Sequence, residues 1–314
     1  MNSGLHKGLR LIIKYNTAVI FVALLIVSAC ISDNFFTVVN LTNLIRQVAP
    51  IGIISMGMLL VILTAGIDLS VGSIVAMIGV LCALLTHIVP LFWAIMLSIL
   101  AGVGIGCISG YLAAYQKMAP FIATLAMMTV ARGIGFILSK GAPIMVADSA
   151  SALTDFGNGY FLGIPNPAWI FFIVFAITYV LLRFNVLGRI LIAIGSNEEA
   201  VRLSGIRVAV YLFAVYAIIG GLSAVAGIIG VSRTSVGSPI VGVGWELDAI
   251  AIVVIGGASL FGGKGTAVNT LLGVFILGLI GNIMNLMDIP SYSQQVIKGV
   301  IIILAVLLQK FEDK

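Results

Sequence analysis

The chain is expected to fold as an all-α, polytopic membrane helix bundle of about ten transmembrane helices, and three observations lead there. Its 314 residues are 61% hydrophobic and 9% charged, against about 25% charged residues in an ordinary soluble domain, so water is not the solvent for most of its surface. The apolar residues fall in largely charge-free intervals of the right length. A helical crossing needs about 20 residues, and such intervals run at 15–31, 48–65, 70–88, 91–113, 118–139, 162–182, 209–231, 247–261, 267–287 and 291–309. The basic residues, finally, are shared unevenly between the two sides. Ten spans put both termini on one side; taken as the cytoplasm, that side collects Lys7, Arg10, Lys14, Lys117, Arg183, Arg189, Arg202, Arg207, Lys264, Lys310 and Lys314, and leaves Arg46, Lys140 and Arg233 outside. This is the bias that membrane insertion imposes.

Each span has its own justification. The basic start followed by Val27-Ser28-Ala29-Cys30 imitates a lipoprotein signal, but the apolar run is long enough to cross and nine more follow, so it is read as the first span. The uncharged stretch between Asp68 and Lys117 is too long for one crossing, and His87 with Pro90 marks its turn. Gly102, Gly106 and Gly110 recur every four residues on the fourth span, a smooth face for close helix packing within or between subunits. The interrupted region 232–245, followed by an eighth span of only about 15 residues, is the best candidate for a broken helix. A single transmembrane domain over 1–314 accounts for the chain, with one charged cytoplasmic loop at about 183–208. The net charge of +5 is dispersed rather than clustered, so no nucleic-acid partner is expected.

Several chemistries are weighed and set aside. Cys30, Cys82 and Cys107 lie apart in spans without ligand neighbours, so neither disulfide nor metal is expected. The run Gly256-Gly257-Ala258-Ser259-Leu260-Phe261-Gly262-Gly263-Lys264-Gly265-Thr266 imitates a phosphate-binding loop but has Ala258 and Gly265 where the motif needs Gly and Ser or Thr. The chain is therefore not expected to hydrolyse ATP, nor to be an enzyme; His6 and His87 are solitary. An ion-coupled secondary transporter of a small polar solute is the alternative. Against it stand Asp68, Glu246, Asp248 and Asp288, which lie at span ends rather than midway.

Polar and ionisable groups in or beside spans are the candidates for a translocation path or gate: Asp68, Ser70, Arg132, Trp245, Glu246, Asp248 and Lys298. Arg132 lies seven residues from the outer end of its span, about 10 Å, so its side chain is expected to snorkel part of the way out. Lys298 sits at similar depth, with Asp288 near the same interface. Asp68 or Ser70, in the polar turn 66–73, is expected to cap the first amides of the third span.

The one sustained polar stretch, 183–207, is read as a docking surface. Gly195, Ser196, Asn197, Glu198, Glu199, Ala200, Arg202, Leu203, Ser204 and Gly205 form its centre. Ser196 to Glu199 offers a capping box, Glu198 and Arg202 an i, i+4 pair, and Gly205 a left-handed stop. The expectation is a helix of about eight residues at the cytoplasmic surface, too short to stand alone and therefore docked.

Four motifs in order, 66–73, 120–132, 195–205 and 246–265, resemble the permease subunits of bacterial ABC importers for monosaccharides over nearly the whole chain, most of all the ribose members. That resemblance implies a multi-pass protein of the bacterial inner membrane and no cofactor on this chain. It implies ATP-Mg on a cytoplasmic ABC ATPase, a periplasmic sugar-binding protein, and a second permease subunit, identical or a close paralogue. It also implies that 195–205 is the coupling helix seated in the ATPase. Two five-span halves would be inverted in the membrane, although no sequence match between them is evident.

Overall fold

The computed structural model describes residues 16–312; His6, Lys7, Arg10, Lys14, Lys314 and the side chain of Lys310 lie outside the described residues. Five helices open the chain, α1 (Asn16–Ile31), α2 (Val38–Leu63), α3 (Val71–Leu85), α4 (Leu91–Ala114) and α5 (Pro120–Ser139). A surface excursion follows, with β1 (Ile144–Met145), α6 (Ser151–Asn158), β2 (Tyr160–Phe161) and β3 (Ile164–Pro165). The rest comprises α7 (Asn166–Phe184), α8 (Val186–Ser196), α9 (Glu198–Leu203), α10 (Val208–Thr234), β4 (Val236–Gly237), α11 (Trp245–Ile255), α12 (Ala267–Leu286) and α13 (Ser291–Glu312). Among the described residues six helices are long and apolar enough to cross a membrane unaided: α2, α4, α5, α7, α10 and α12. Each of the ten expected intervals coincides with a helix, but α3 and α11, at 15 and 11 residues, are too short to cross alone.

Local chemistry sets several ends. Thr37 caps α2 by accepting from the Asn40 amide, Thr266 caps α12 by accepting from Asn269, and Pro120 opens α5 at the position that tolerates proline. α2 begins ten residues before the expected 48, because Asn40, Arg46 and Gln47 are absorbed into its first turns. Polar residues are admissible there because they find partners: Asn40 and Asn282 exchange hydrogen bonds of 3.1 and 2.7 Å. At 1.5 Å per residue its 26 residues reach about 39 Å, longer than a ~30 Å hydrocarbon core.

α2 and α10 form the centre. α10 packs on α4, α3 and α2, while α2 also carries α12, α7 and α11. The α4–α10 seam is close because a Cβ on Gly102, Gly106 or Gly110 would strike the α10 backbone or Ala224, so the glycine face serves packing within this chain. Gly220 supplies the reciprocal gap on α10.

The two halves correspond. α2 and α10, at 26 and 27 residues, are each followed by a residue with φ near +60°, Ala65 and Ser235, then by a non-helical stretch and a short helix. α10 lies on α4 as α2 lies on α12, and α10 on α3 as α2 on α11. The halves run in opposite senses through the bundle, which is an inverted repeat. One end of the bundle gathers 86–90, 140–165 and 235–237; the other gathers 64–70, 115–119, 185–207 and 256–266. They are called outer and inner after the basic-residue bias.

Candidate functional site

The break in the second half is a descending, non-helical run of chain, a strand only at Val236–Gly237 and a series of turns over 239–244. β4 pairs antiparallel with β1, Ile144 opposite Gly237. From there the backbone runs down α3: a Cβ on Gly237 would meet Gly79 and Ala83, and one on Gly242 would meet the Gly72 carbonyl. From Leu85 back to Gly72 is thirteen residues of α3, about 20 Å, so α11 starts deep inside the bundle. The first-half break mirrors it, with the Ile67 carbonyl accepting from Thr124 Oγ1 at 3.2 Å, inside the first turns of α5. The N-termini of α3 and α11 thus face each other within the bundle. Their partial positive charges meet Asp68 at one and Glu246 at the other.

Asp68 is fully buried, and its Oδ1 accepts from the Ser70 amide at 2.8 Å and the Ser70 hydroxyl at 2.6 Å. It therefore fixes the turn before α3. Neither Asp68 nor Ser70 caps the first amides of α3: Asp68 accepts from Ser70 itself, and no cap bond reaches the helix from the Ser70 side chain. Asp68 Oδ2 and the buried Tyr216 hydroxyl have no hydrogen-bond partner, and the two groups lie within electrostatic reach of each other.

Arg132 corrects the snorkelling expectation. Its Nη1 donates to the Pro239 carbonyl at 2.8 Å and the Val241 carbonyl at 2.7 Å, turning inward rather than toward the interface. The reason is that carbonyls of non-helical chain inside a bundle have no helix to satisfy them, and an unmatched carbonyl in that setting is costly. Glu246 lies within Coulombic range of Arg132, and its Oε2, beside Gly72, is buried without a partner.

Lys298 pairs with Asp248, Nζ to Oδ2 at 3.0 Å, instead of keeping company with Asp288. The pair opens on a cleft of about 210 Å³ shared with Gln47, Trp245, Asn282 and Gln294. Of the expected path residues only Trp245, Asp248 and Lys298 share this cleft; Asp68 with Ser70, and Arg132 with Glu246, surround the two helix starts. The acids Asp68, Glu246 and Asp248 are therefore interior rather than terminal, since the spans that seemed to end beside them are broken helices. Tyr216, Gly72 and Gly242 were missed. The glycines carried a signal, each standing next to a polar or glycine-rich turn, whereas Tyr216 looks like any aromatic in an apolar helix.

At the inner end, α9 has six residues, not eight, and its capping differs from the expected box. Asn197 is the N-cap, accepting from the Ala200 amide at 2.9 Å, while Ser196 ends α8 and donates to the Ile192 carbonyl. Asn197 wins because α8 continues through Ser196, leaving its hydroxyl facing back along that helix. Glu199, free of the box, pairs with Arg202 at 2.6 Å, so the ion pair is i, i+3 from Glu199 and not i, i+4 from Glu198. That bond holds the Arg202 guanidinium above its ordinary pKa. Gly205 does take the left-handed conformation, φ +82°. α9 sits on its own protein through Val201, buried with Ile194 and Val208, and turns Leu203, 78% exposed, outward with Glu198, Glu199, Ala200 and Ser204.

Gly195 lies where α8 meets two other elements. A Cβ there would collide with the Leu63 carbonyl at the end of α2 and, at 2.5 Å, with the Gly263 amide. That amide itself donates to the Leu63 carbonyl at 3.0 Å. The glycine turn 256–265 is thus a socket for the end of α8, one residue short of the α9 cap, and it touches the end of α2 and follows the end of α11.

A bundle with paired broken helices around an interior polar region, and a charged surface helix at one end, is the architecture of a membrane transport subunit. Residues 40–306 match the family of permease components typified by the branched-chain amino acid transport system, and the chain belongs to that family; it is a multi-pass membrane protein. It is similar to the ribose import permease of Haemophilus influenzae, 44% identical across 96% of this chain and 94% of that protein. It is similar also to the ribose import permease of Bacillus subtilis, 45% identical across 93% and 90%. The L-arabinose ABC transporter permease of Azospirillum brasilense is 37% identical across 96% and 89%. No solved structure matches the chain.

Proposed function

We propose that this chain is the membrane-spanning permease subunit of an ATP-driven importer that carries a monosaccharide, ribose or a related sugar, from periplasm to cytoplasm across a bacterial inner membrane. The observation that carries this reading is the 44–45% identity to ribose import permeases along nearly the full length. It outweighs the amino-acid wording of the family description, because relatives this similar over whole chains bear sugar names. In this reading the chain makes ten crossings with both termini cytoplasmic; α3 and α11 complete theirs with the non-helical segments 64–70 and 238–244.

The exposed Ile240, Val241, Val243 and Leu247 support a second permease subunit, a copy or close paralogue. Irregular backbone at membrane depth is tolerated against protein or a water-filled path, not against lipid. The path then runs between subunits, past the two helix starts. ATP-Mg is held by a cytoplasmic ATPase whose groove takes α9 by its outward face of Leu203, Glu198 and Glu199. A loaded sugar-binding protein docks on the outer segments 140–158 and 235–237, the remainder of 232–246 lying inside the bundle. When the ATPase closes, displacement of α9 passes through Gly195 to the ends of α2 and α11; α2 leads directly into the first break, and α11 carries the motion along its 11 residues to the second. Interior Asp68, Glu246 and Asp248 weaken the positional argument against an ion-coupled carrier. Asp248, however, is already neutralised by Lys298, Oδ1 of Asp68 is held by Ser70, and the relatives argue for the importer.

The test is reconstitution of the chain in proteoliposomes with its ATPase and binding protein, and radiolabelled ribose or L-arabinose. ATP-dependent ribose uptake supports the reading. Uptake driven by an ion gradient without ATPase overturns it, and arabinose-only uptake overturns the choice of sugar.

A further inference from the structure

Two arginines outside the proposed path stand close together with no acid between them. Arg46, in the outer part of α2, donates Nη2 to the Asn158 carbonyl at 3.3 Å and lies 4.8 Å over the Tyr160 ring. Arg233 occupies the last turn of α10. α6 joins them: Gly157 rests on Ser232, the residue before Arg233, and Asn158 follows. The guanidiniums are near enough to repel, and the Nε of each is buried with no hydrogen-bond partner. Neither forms an ion pair among the described residues. Two half-buried like charges with unspent donors are costly unless an anion joins them. Arginine's planar fork favours the oxygens of a phosphate or carboxylate.

The surroundings choose between these. Residues 160–165 form a tight hairpin whose turn, Leu162 and Gly163, has φ +52° and +77°. Its tip presents Tyr160, Phe161 and Leu162, 53%, 61% and 78% exposed. Trp169 ties to this hairpin through Nε1 to the Phe161 carbonyl and through its ring. Val39, two turns before Arg46 on the same face of α2, is 71% exposed. Apolar residues and aromatics with a polar edge around a cationic pair describe the membrane–water boundary, where headgroup phosphates lie.

We propose that Arg46 and Arg233 clamp the phosphodiester of an outer-leaflet phospholipid, with the 160–162 hairpin tip in its acyl region. The leaflet follows from the topology proposed above, but the lipid site does not depend on sugar import. The test is native mass spectrometry of the purified full-length chain titrated with phosphatidylglycerol, phosphatidylcholine or diacylglycerol, with inorganic phosphate as competitor. The wild type should retain one phospholipid of either headgroup and no diacylglycerol. In a monodisperse Arg46→Gln/Arg233→Gln variant, retention should drop about tenfold or more, as loss of charge-assisted bonds implies. Retention of diacylglycerol by the wild type overturns the proposal without any mutant. So does a double variant that keeps its phospholipid, or displacement of the lipid by inorganic phosphate, which would make the ligand a free anion. If the double variant keeps its lipid and loses only binding-protein association, the pair serves protein docking and the lipid site falls.

Discussion

Gly195→Ala adds one methyl group at the junction on which coupling is proposed to depend. In an unencumbered helix the change is favourable by about 0.8–1 kcal/mol, since alanine is the better helix former. Here the new Cβ has nowhere to go. It meets the Leu63 carbonyl, the Gly263 amide at 2.5 Å and Gly262 Cα at 3.0 Å, all backbone. Overpacking of this kind costs about 1–3 kcal/mol, and opening the Gly263–Leu63 hydrogen bond adds about 0.5–1.5 kcal/mol. The balance is a local loss of about 0.5–4 kcal/mol, enough to lift α8 and α9 off the ends of α2 and α11 while the bundle remains folded. The assay is ATP hydrolysis and sugar uptake by the reconstituted importer, with Gly133→Ala as control, because nothing lies within 4 Å of a Cβ there. Gly195→Ala should keep membrane abundance and binding-protein-independent ATPase activity, yet cut sugar moved per ATP several-fold. Wild-type coupling in Gly195→Ala, with a melting temperature raised as helix propensity alone demands, would refute the socket as the transmission point.

Other expectations follow from the same geometry. Asn197→Ala removes the α9 cap, worth about 0.5–2 kcal/mol, and combined with Glu199→Lys should sharply lower ATPase co-purification at normal membrane abundance; Ser196→Ala alone should do little, and the reverse ranking would restore the capping box. Arg132→Met strands the Pro239 and Val241 carbonyls, each bond to a charged donor being worth about 1.5–3 kcal/mol, so thermal stability and uptake should both fall, with Arg132→Lys intermediate; Arg132→Met equal to wild type would mean those carbonyls find other donors. Lys298→Met leaves Asp248 unpaired, and because the side chains are 29% and 18% exposed the loss should be below the ~3–5 kcal/mol of a fully buried pair; adding Asp248→Asn should recover stability in a double-mutant cycle, and absence of coupling would dissolve the pair. Cysteines at Ser151 and Asn197 should react with an impermeant thiol reagent from outside and only after permeabilisation respectively, and labelling at 197 in intact cells would reverse the orientation.

The amino-acid sequence alone determined the solvent of this protein, because a chain that is 9% charged cannot hide its apolar surface in water. It also located the ten apolar runs that became helices, because charges and turn residues interrupt such runs whatever their neighbours; the first ten residues of α2 and all of α6 and α8 escaped it. It marked the surface segment 195–205 and the break near 232–245 for the same local reason: polar residues and glycines stand out against an apolar background. What it could not decide were choices between equivalent local partners. Ser196 and Asn197 are both competent caps, and only the continuation of α8 through Ser196 left the task to Asn197. Asp288 was the acid expected near Lys298, and only the approach of α11 to α13 brought Asp248 to it instead. Arg132 could reach outward or inward by length alone; the non-helical 238–244 backbone, held beside α3 by Gly72 and Gly242, supplied the carbonyls that draw it in. The inverted repeat, expected from the odd number of spans in each half, left no residue-level match for a related reason. Apolar side chains on two halves can be exchanged freely so long as helix lengths and breaks are kept, so the symmetry resides in packing and not in residue identity.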